Sequence, residues 1–246
     1  MDPTHNRSAD STISEFLGVV AHRIHTPVAV IKWQVEGLLD GVLGELTPEQ
    51  KESLQTVIQS AENLNDFSRT MLAVYELEKD IPMVQPQELV LKDLMVQMEK
   101  SLNALLHARN GRIVMPEDAA AATFVADPDI ALMILRTFLE NAFQYSDPGA
   151  EALVTVRQEE GGTMITVEDH GMGIASECWP TIGTKFYRDA EARRRLPDGV
   201  GLNLYISKNL AERTGGAITF ESEQGRGSKF HWLVPRGGRR RQPWER

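Results

Sequence analysis

The chain has 246 residues, a net charge of −9, 41% hydrophobic and 25% charged residues, the profile of a globular protein long enough for two modest domains. The charge argues against general nucleic-acid binding, and no apolar run approaches the roughly 18 residues that span a bilayer. One cysteine, Cys178, excludes an internal disulfide framework and fits a reducing cytoplasm. The polar opening MDPTHNRSADST speaks against a cleaved signal peptide, and no Cys/His cluster has zinc-ligand spacing.

Residues 1–12 read as a disordered N-terminus. From Ile13 to about Gly37, the residues Ile13, Leu17, Val20, Ile24, Pro27, Ile31 and Val35 recur at the spacing of an amphipathic helix. The turn GVLGELTPEQ follows. Thr47-Pro48-Glu49-Gln50 then offers a capping hydroxyl, proline at the first helical position and acid in the first turn. A second helix runs to about Lys79 with Leu54, Val57, Ile58, Ala61, Leu64, Ser68, Met71, Leu72 and Tyr75 on its stripe. Two such helices cannot enclose a core. Duplicated about a twofold axis they form a four-helix bundle, which predicts a homodimer; a monomeric hairpin packed on the rest of the chain is the alternative. Asp80-Ile81-Pro82 breaks the helix and divides a first domain, 13–82, from a second, 83–236. A basic tail, 237–246, closes the chain; the last eleven residues, RGGRRRQPWER, hold five Arg and one Glu.

Past the break the pattern is mixed. Helices are predicted over Leu91–Arg109, Pro128–Tyr145 and Val200–Thr214. Strands are predicted over Arg112–Met115, Thr123–Ala126, Ala152–Gln158, Thr163–Glu168, Ala217–Glu221 and Lys229–Val234, with a hairpin turn at Glu159-Glu160-Gly161-Gly162. The fold class is therefore α+β: an antiparallel helical hairpin, then an α/β sandwich with a mixed sheet and helices on one face.

Two glycine-punctuated segments carry the chemistry. In VEDHGMGI, an acid ends an alternating run and Gly171 and Gly173 follow; in DGVGLNLYIS, Gly199 and Gly201 precede a helix. Glycine lets a backbone turn and approach closely, and a glycine turn opening a helix aims free N–H groups at an anion. In that order, with Asn141 upstream, the segments point to a bound nucleotide. Asn141 is either a capping or surface residue or a Mg²⁺ ligand through its hard amide oxygen. Asp169 is either a turn-forming acid or an acceptor for an exocyclic amine, which would select adenine over guanine.

The pieces LENAFQYS, EDHGMGI, FYR, GVGLNL and EQGRGSKF resemble, in the family's order, the ATP-binding domain shared by sensor histidine kinases and the gyrase, Hsp90 and MutL ATPases. The resemblance spans roughly Met83 to Arg236. It implies Asn141 on Mg²⁺, Asp169 on the adenine amine and Tyr145 against the ring. Gly171 and Gly173 would lie beneath the base, and Gly199, Gly201 and Leu202 would form the phosphate loop. Ile182–Asp198, with Phe186, Tyr187 and Arg188, would be a mobile lid over the ATP. Three positions depart from the pattern: Gln144 stands for the usual Lys beside Tyr145, Asn203 for the third glycine of GxGLGL, and Thr137 where many relatives have a first Asn.

In the first helix, Ala21-His22-Arg23-Ile24-His25-Thr26-Pro27 resembles the histidine-kinase signature SHELRTP. At about 100° per residue, His22 lies nearly opposite the stripe of Val20 and Ile24. Pro27 removes the N–H that would bond the Arg23 carbonyl, so an exposed imidazole sits where the helix loosens. The resemblance places His22 at the phosphorylated position and Thr26 where it helps align the water that dephosphorylates a response regulator. His25 is the alternative acceptor. Arg23 replaces the acid that relatives carry beside the histidine; it favours a neutral imidazole but accepts no proton. The function implied is a cytoplasmic two-component histidine kinase core that uses ATP and Mg²⁺ and passes the phosphoryl group to a response-regulator receiver. A kinase-deficient ATP-binding scaffold or response-regulator phosphatase is the alternative. A serine kinase of the anti-sigma type would share the ATP fold but leave the helical hairpin unexplained.

Overall fold

A computed structural model of the chain describes residues 23–24, 26–78, 84–197 and 199–237. The chain divides into two compact units, Met1–Pro82 and Met83–Arg246.

In the first unit, helix α1 is described over residues 23–24 and 26–39. The predicted start of that helix, with His22 and His25, the break at Asp80-Ile81-Pro82, and the tail from residue 238 lie outside the described residues, as do the side chains of Met71, Leu72 and Tyr75. Helix α2 spans Pro48–Glu78 and opens with a reciprocal cap. The Thr47 amide donates to Gln50 Oε1 at 2.9 Å, and the Gln50 amide donates to Thr47 Oγ1 at 3.3 Å, satisfying two donors that the first turn leaves unpaired. Only part of the apolar stripe is covered. Val28, Val35 and Ala61 are buried, whereas Ile31, Val57, Leu64 and Phe67 are exposed and Trp33 is 70% exposed. Val28, off the predicted stripe, is buried, and Ile31 on it is not. Apolar surface on both helices is thus left bare among the described residues.

The second unit is a five-stranded mixed sheet with helices on one face. Its strands are β2 (Arg112–Val114), β4 (Glu151–Glu159), β5 (Gly162–Asp169), β7 (Gly227–Pro235) and β6 (Ala217–Glu223), in the spatial order β2-β4-β5-β7-β6. The β2/β4 pair is parallel and the others antiparallel. Helices α6 (Pro128–Gln144) and α8 (Asn203–Arg213) lie side by side on the sheet. Alternate residues of the central strands, Ile165, Val167, Phe230 and Trp232, point into this layer and meet Ile134, Leu135, Phe138 and Leu139 of α6, all fully buried. The Phe138 and Phe230 rings pack 5.4 Å apart. A buried polar link joins the helices: Ser207 Oγ of α8 donates to Thr137 Oγ1 at 3.0 Å, and Thr137 Oγ1 donates to the Met133 carbonyl at 3.0 Å.

Three features differ from the sequence reading. A strand β1, Gln87–Val90, pairs antiparallel with β3, Thr123–Ala126, as a separate two-stranded ribbon. The helix expected over Leu91–Arg109 is two, α3 (Leu91–Ser101) and α4 (Asn103–Arg109), separated by Leu102 at φ −97°, ψ 7°. The bend keeps Leu102 in the core with Leu91, Leu94, Met95 and Met98, while α4 buries none of its own residues fully. A short helix α5, Glu117–Ala120, also precedes β3.

The Ser207–Thr137 link generates a stability prediction. Thr137→Val strands the buried Ser207 hydroxyl and should destabilise the second unit by about 1–3 kcal/mol in urea denaturation. Adding Ser207→Ala should recover much of that loss; equal loss in the double variant would show that the link is not the cause.

Candidate functional site

The site gathers at one end of α6. Asp127 starts that helix: its Oδ1 accepts from the Asp129 and Ile130 amides at 3.0 and 3.2 Å, while Oδ2 takes the Gln85 amide at 2.8 Å. Proline at the first position completes the start. Asn141, half-buried, lies one turn before the helix end, and its carbonyl accepts from the amide of Tyr145, the C-cap.

Asp169 ends β5 and is 6% exposed. Its Oδ1 accepts from the Gly171 amide at 2.8 Å and the Ser228 amide at 3.3 Å, and no described residue donates to Oδ2. Burial pushes the carboxyl up to about 6 against the pull of those two amides. The loop after it threads between two carbonyls. A Cβ on Gly171 would overlap the Tyr145 carbonyl, and one on Gly173, at φ +64°, would overlap that of Glu223. These glycines are required by approach to the protein's own backbone. The loop is pinned further: Met172 N donates to Tyr145 O at 2.9 Å, Gly225 N to Met172 O at 2.7 Å, and Ile174 N to Ser222 Oγ at 2.8 Å. Ser222 Oγ in turn contacts the Gly227 carbonyl and Ser228 Oγ, which explains why EQGRGSKF belongs with the site.

Across the second glycine segment, Gly201 has φ +76° and accepts from the Phe186 amide at 3.0 Å. Helix α8 begins at Asn203, later than expected, with Leu202 as an N-cap that makes no side-chain cap; its first amides therefore remain available to an anion. Leu202 is 1% exposed, so its side chain belongs to the core and it can meet a ligand only through its backbone. The expected lid contains a short helix, α7 (Ala190–Arg195), capped by Asp189 through the Glu191 and Ala192 amides. Arg188 folds inward, donating to the Ala192 carbonyl at 2.6 Å and the Gly199 carbonyl at 2.7 Å; a Cβ on Gly199 would strike its guanidinium. Arg188 thus braces the lid backbone.

In the first unit, Arg23 and Thr26 are exposed on α1. Among the departures from pattern, Thr137 has a structural role in the α6–α8 link. Two neighbours of the site carried no sequence signal of their own. Ser146 is buried, with an Oγ that has no hydrogen-bond partner among the described residues, against Gly171. Arg195 reaches from α7 to the end of α6, donating from Nε to the Gln144 carbonyl at 3.1 Å. Among the described residues, no group of three or more His, Cys, Asp or Glu could hold a metal ion, and no helix is long and apolar enough to cross a membrane.

Comparison with known proteins bears on this arrangement. Residues 12–79 match the His Kinase A (phospho-acceptor) domain, and residues 126–238 match the histidine kinase-, DNA gyrase B- and HSP90-like ATPase family. Over 239 residues the chain is 28% identical to the sensor protein SrrB of Staphylococcus aureus, in strains MRSA252 and N315 alike; the match covers 96% of this chain and 40% of SrrB. The chain thus spans two fifths of the length of these curated relatives. Among solved structures, ShkA, determined full-length in complex with AMPPNP, aligns with a TM-score of 0.69 at 23% identity, over 90% of this chain and 45% of that one. AdeS of Acinetobacter baumannii aligns with a TM-score of 0.59 at 18% identity, over 88% and 98%. At these identities the structural likeness speaks to fold. The two domain matches follow one another and together span most of the chain: it carries a histidine-kinase phospho-acceptor domain followed by an ATPase domain of the histidine kinase, gyrase B and HSP90 type, and is homologous to the sensor protein SrrB.

Proposed function

We propose that the chain is an ATP-dependent protein-histidine kinase, in which His22 takes the γ-phosphoryl group of ATP and passes it to an aspartate of a response-regulator receiver. The observation that carries the nucleotide half is the buried Asp169. Both of its backbone donors fall on Oδ1, which leaves Oδ2 to accept from the exocyclic amine of adenine. Tyr145 caps α6 beside the same loop, and the uncapped start of α8 behind Gly199 and Gly201 suits the phosphates. Mg²⁺ fits the amide oxygen of Asn141, a hard donor; bound there with phosphate, the ion would neutralise charge on the nucleotide.

For transfer, a neutral ring nitrogen of His22 forms the P–N bond as the β–γ P–O bond breaks and ADP leaves. The ring proton then goes to solvent, because Arg23 cannot accept it. A missing general base typically costs about 10²–10⁴-fold, so slow autophosphorylation is expected. Thr26, four residues after His22 in sequence and exposed, would assist dephosphorylation of the regulator. Bare apolar residues on α1 and α2, among them Trp33, Ile31, Val57 and Leu64, support a homodimer closed as a four-helix bundle. The single cysteine supports a cytoplasmic setting. We assign 13–82 to dimerisation and phosphotransfer and 83–236 to ATP binding.

Two measurements test this reading. With labelled ATP and Mg²⁺ the chain should acquire acid-labile, alkali-stable label that vanishes in His22→Ala. Binding without label would favour the kinase-deficient scaffold that Arg23, Gln144 and Asn203 suggest, and label lost only in His25→Ala would move the acceptor. The second is pH dependence. Because free Asp169 protonates as pH falls through about 6, and the protonated form is the poorer acceptor for an amine, ATP affinity should rise with pH through that region and level off above it. Asp169→Asn should weaken binding about tenfold or more and flatten the profile; an unchanged profile in that variant would remove Asp169 from the site.

A further inference from the structure

The end of α6 is held from two sides. Three successive carbonyls leave it: the middle one, of Tyr145, accepts from Met172 of the glycine loop at 2.9 Å, and the two flanking ones, of Gln144 and Ser146, both accept from Arg195 of the lid helix. The same guanidinium also meets Asp147 Oδ1 at 2.9 Å. A helix C-terminus presents unpaired carbonyls and the negative end of the helix dipole, and a cation there satisfies both. Arginine suits the task, since its planar fork can serve two acceptors at once.

The rest of the lid makes this contact rigid. Asp189 caps α7, Arg188 ties the Ala192 and Gly199 carbonyls together, and Arg193 Nε donates back to the Arg188 carbonyl at 3.1 Å. With its interior braced, the lid is joined by Arg195 to the three-residue stretch that also supports the glycine loop.

We propose that Arg195 is a positioning residue that latches the lid to the C-terminal end of α6 and so sets how long nucleotide stays bound. The residence-time half rests on the ATP reading above; the latch itself does not. The Asp147 pair is the lesser part, because the Asp147 side chain is 92% exposed and exposed ion pairs contribute little. The two carbonyl contacts, made by an arginine side chain only 26% exposed, carry the hold.

The test uses the full chain in two assays: amide hydrogen exchange without nucleotide, and stopped-flow association and release of mant-ATP with Mg²⁺. In Arg195→Ala the amides of 190–196 should exchange roughly tenfold faster while those of β5 are unchanged. Mant-ATP release should accelerate to a similar degree, with association within about twofold. Arg195→Lys keeps the charge but not the fork, and should fall between wild type and Arg195→Ala. Asp147→Asn should change release by less than about twofold. Lid exchange unchanged in Arg195→Ala would overturn the latch, and faster exchange with unchanged release would overturn its control of nucleotide. An Asp147→Asn effect equal to that of Arg195→Ala would overturn the assignment to the carbonyls. Failure of the wild-type chain to bind mant-ATP would overturn the ATP reading and the residence claim with it, while lid exchange would still decide the latch.

Discussion

A carboxylate held out of water at the end of a strand is the constraint around which the second unit is organised. Burial pushes the Asp169 carboxyl up to about 6, and the Gly171 and Ser228 amides turned toward it hold it from rising further. Those amides reach one oxygen only if the chain turns sharply after β5 and β7 begins alongside it. The turn is possible only with glycine where the Tyr145 and Glu223 carbonyls crowd in. Strand register, glycine positions and the Ser222 contacts follow from that one requirement.

The same geometry ties recognition to support. The loop that orients Asp169 rests on the carbonyl of Tyr145, and the carbonyls on either side of it are taken by Arg195 of the lid. On the proposed ATP reading, the end of α6 is therefore a junction where base recognition, the Asn141 face and the lid share a few peptide groups. On that reading a change in lid position would have a short physical path to the nucleotide, through packed backbone and a charge-assisted hydrogen bond. Thr137, one turn before Asn141, and Ser207 tie the same half of α6 to α8, the helix that follows the second glycine segment.

Much of this was legible in the chain because local chemistry and tertiary packing agree. Thr47-Pro48-Glu49-Gln50 forms the cap it spells, Asp127-Pro128 starts α6, and alternating runs lie at strands β2 to β7. Strand β1 was not legible, since Gln87 and Glu88 are polar and the strand exists through its pairing with Thr123–Ala126. The break at Leu102 has no glycine or proline to announce it; burial of the leucine decides it. Glycine spacing pointed to the site, but the close carbonyls that require Gly171 and Gly173 come from elements far away in the chain. Arg195 was hidden inside the run Arg193-Arg194-Arg195, where only the fold distinguishes one guanidinium from its neighbours.

The central claim is that Asp169 reads an amine on the base of a nucleotide. Calorimetric titration of the full chain with Mg·ATP and Mg·GTP at neutral pH tests it most directly. ATP should bind, and GTP, which sets a carbonyl oxygen against the Asp169 carboxylate where ATP has its amine, should bind at least about a hundredfold more weakly. Equal affinity for the two nucleotides, or binding of neither, would contradict the account.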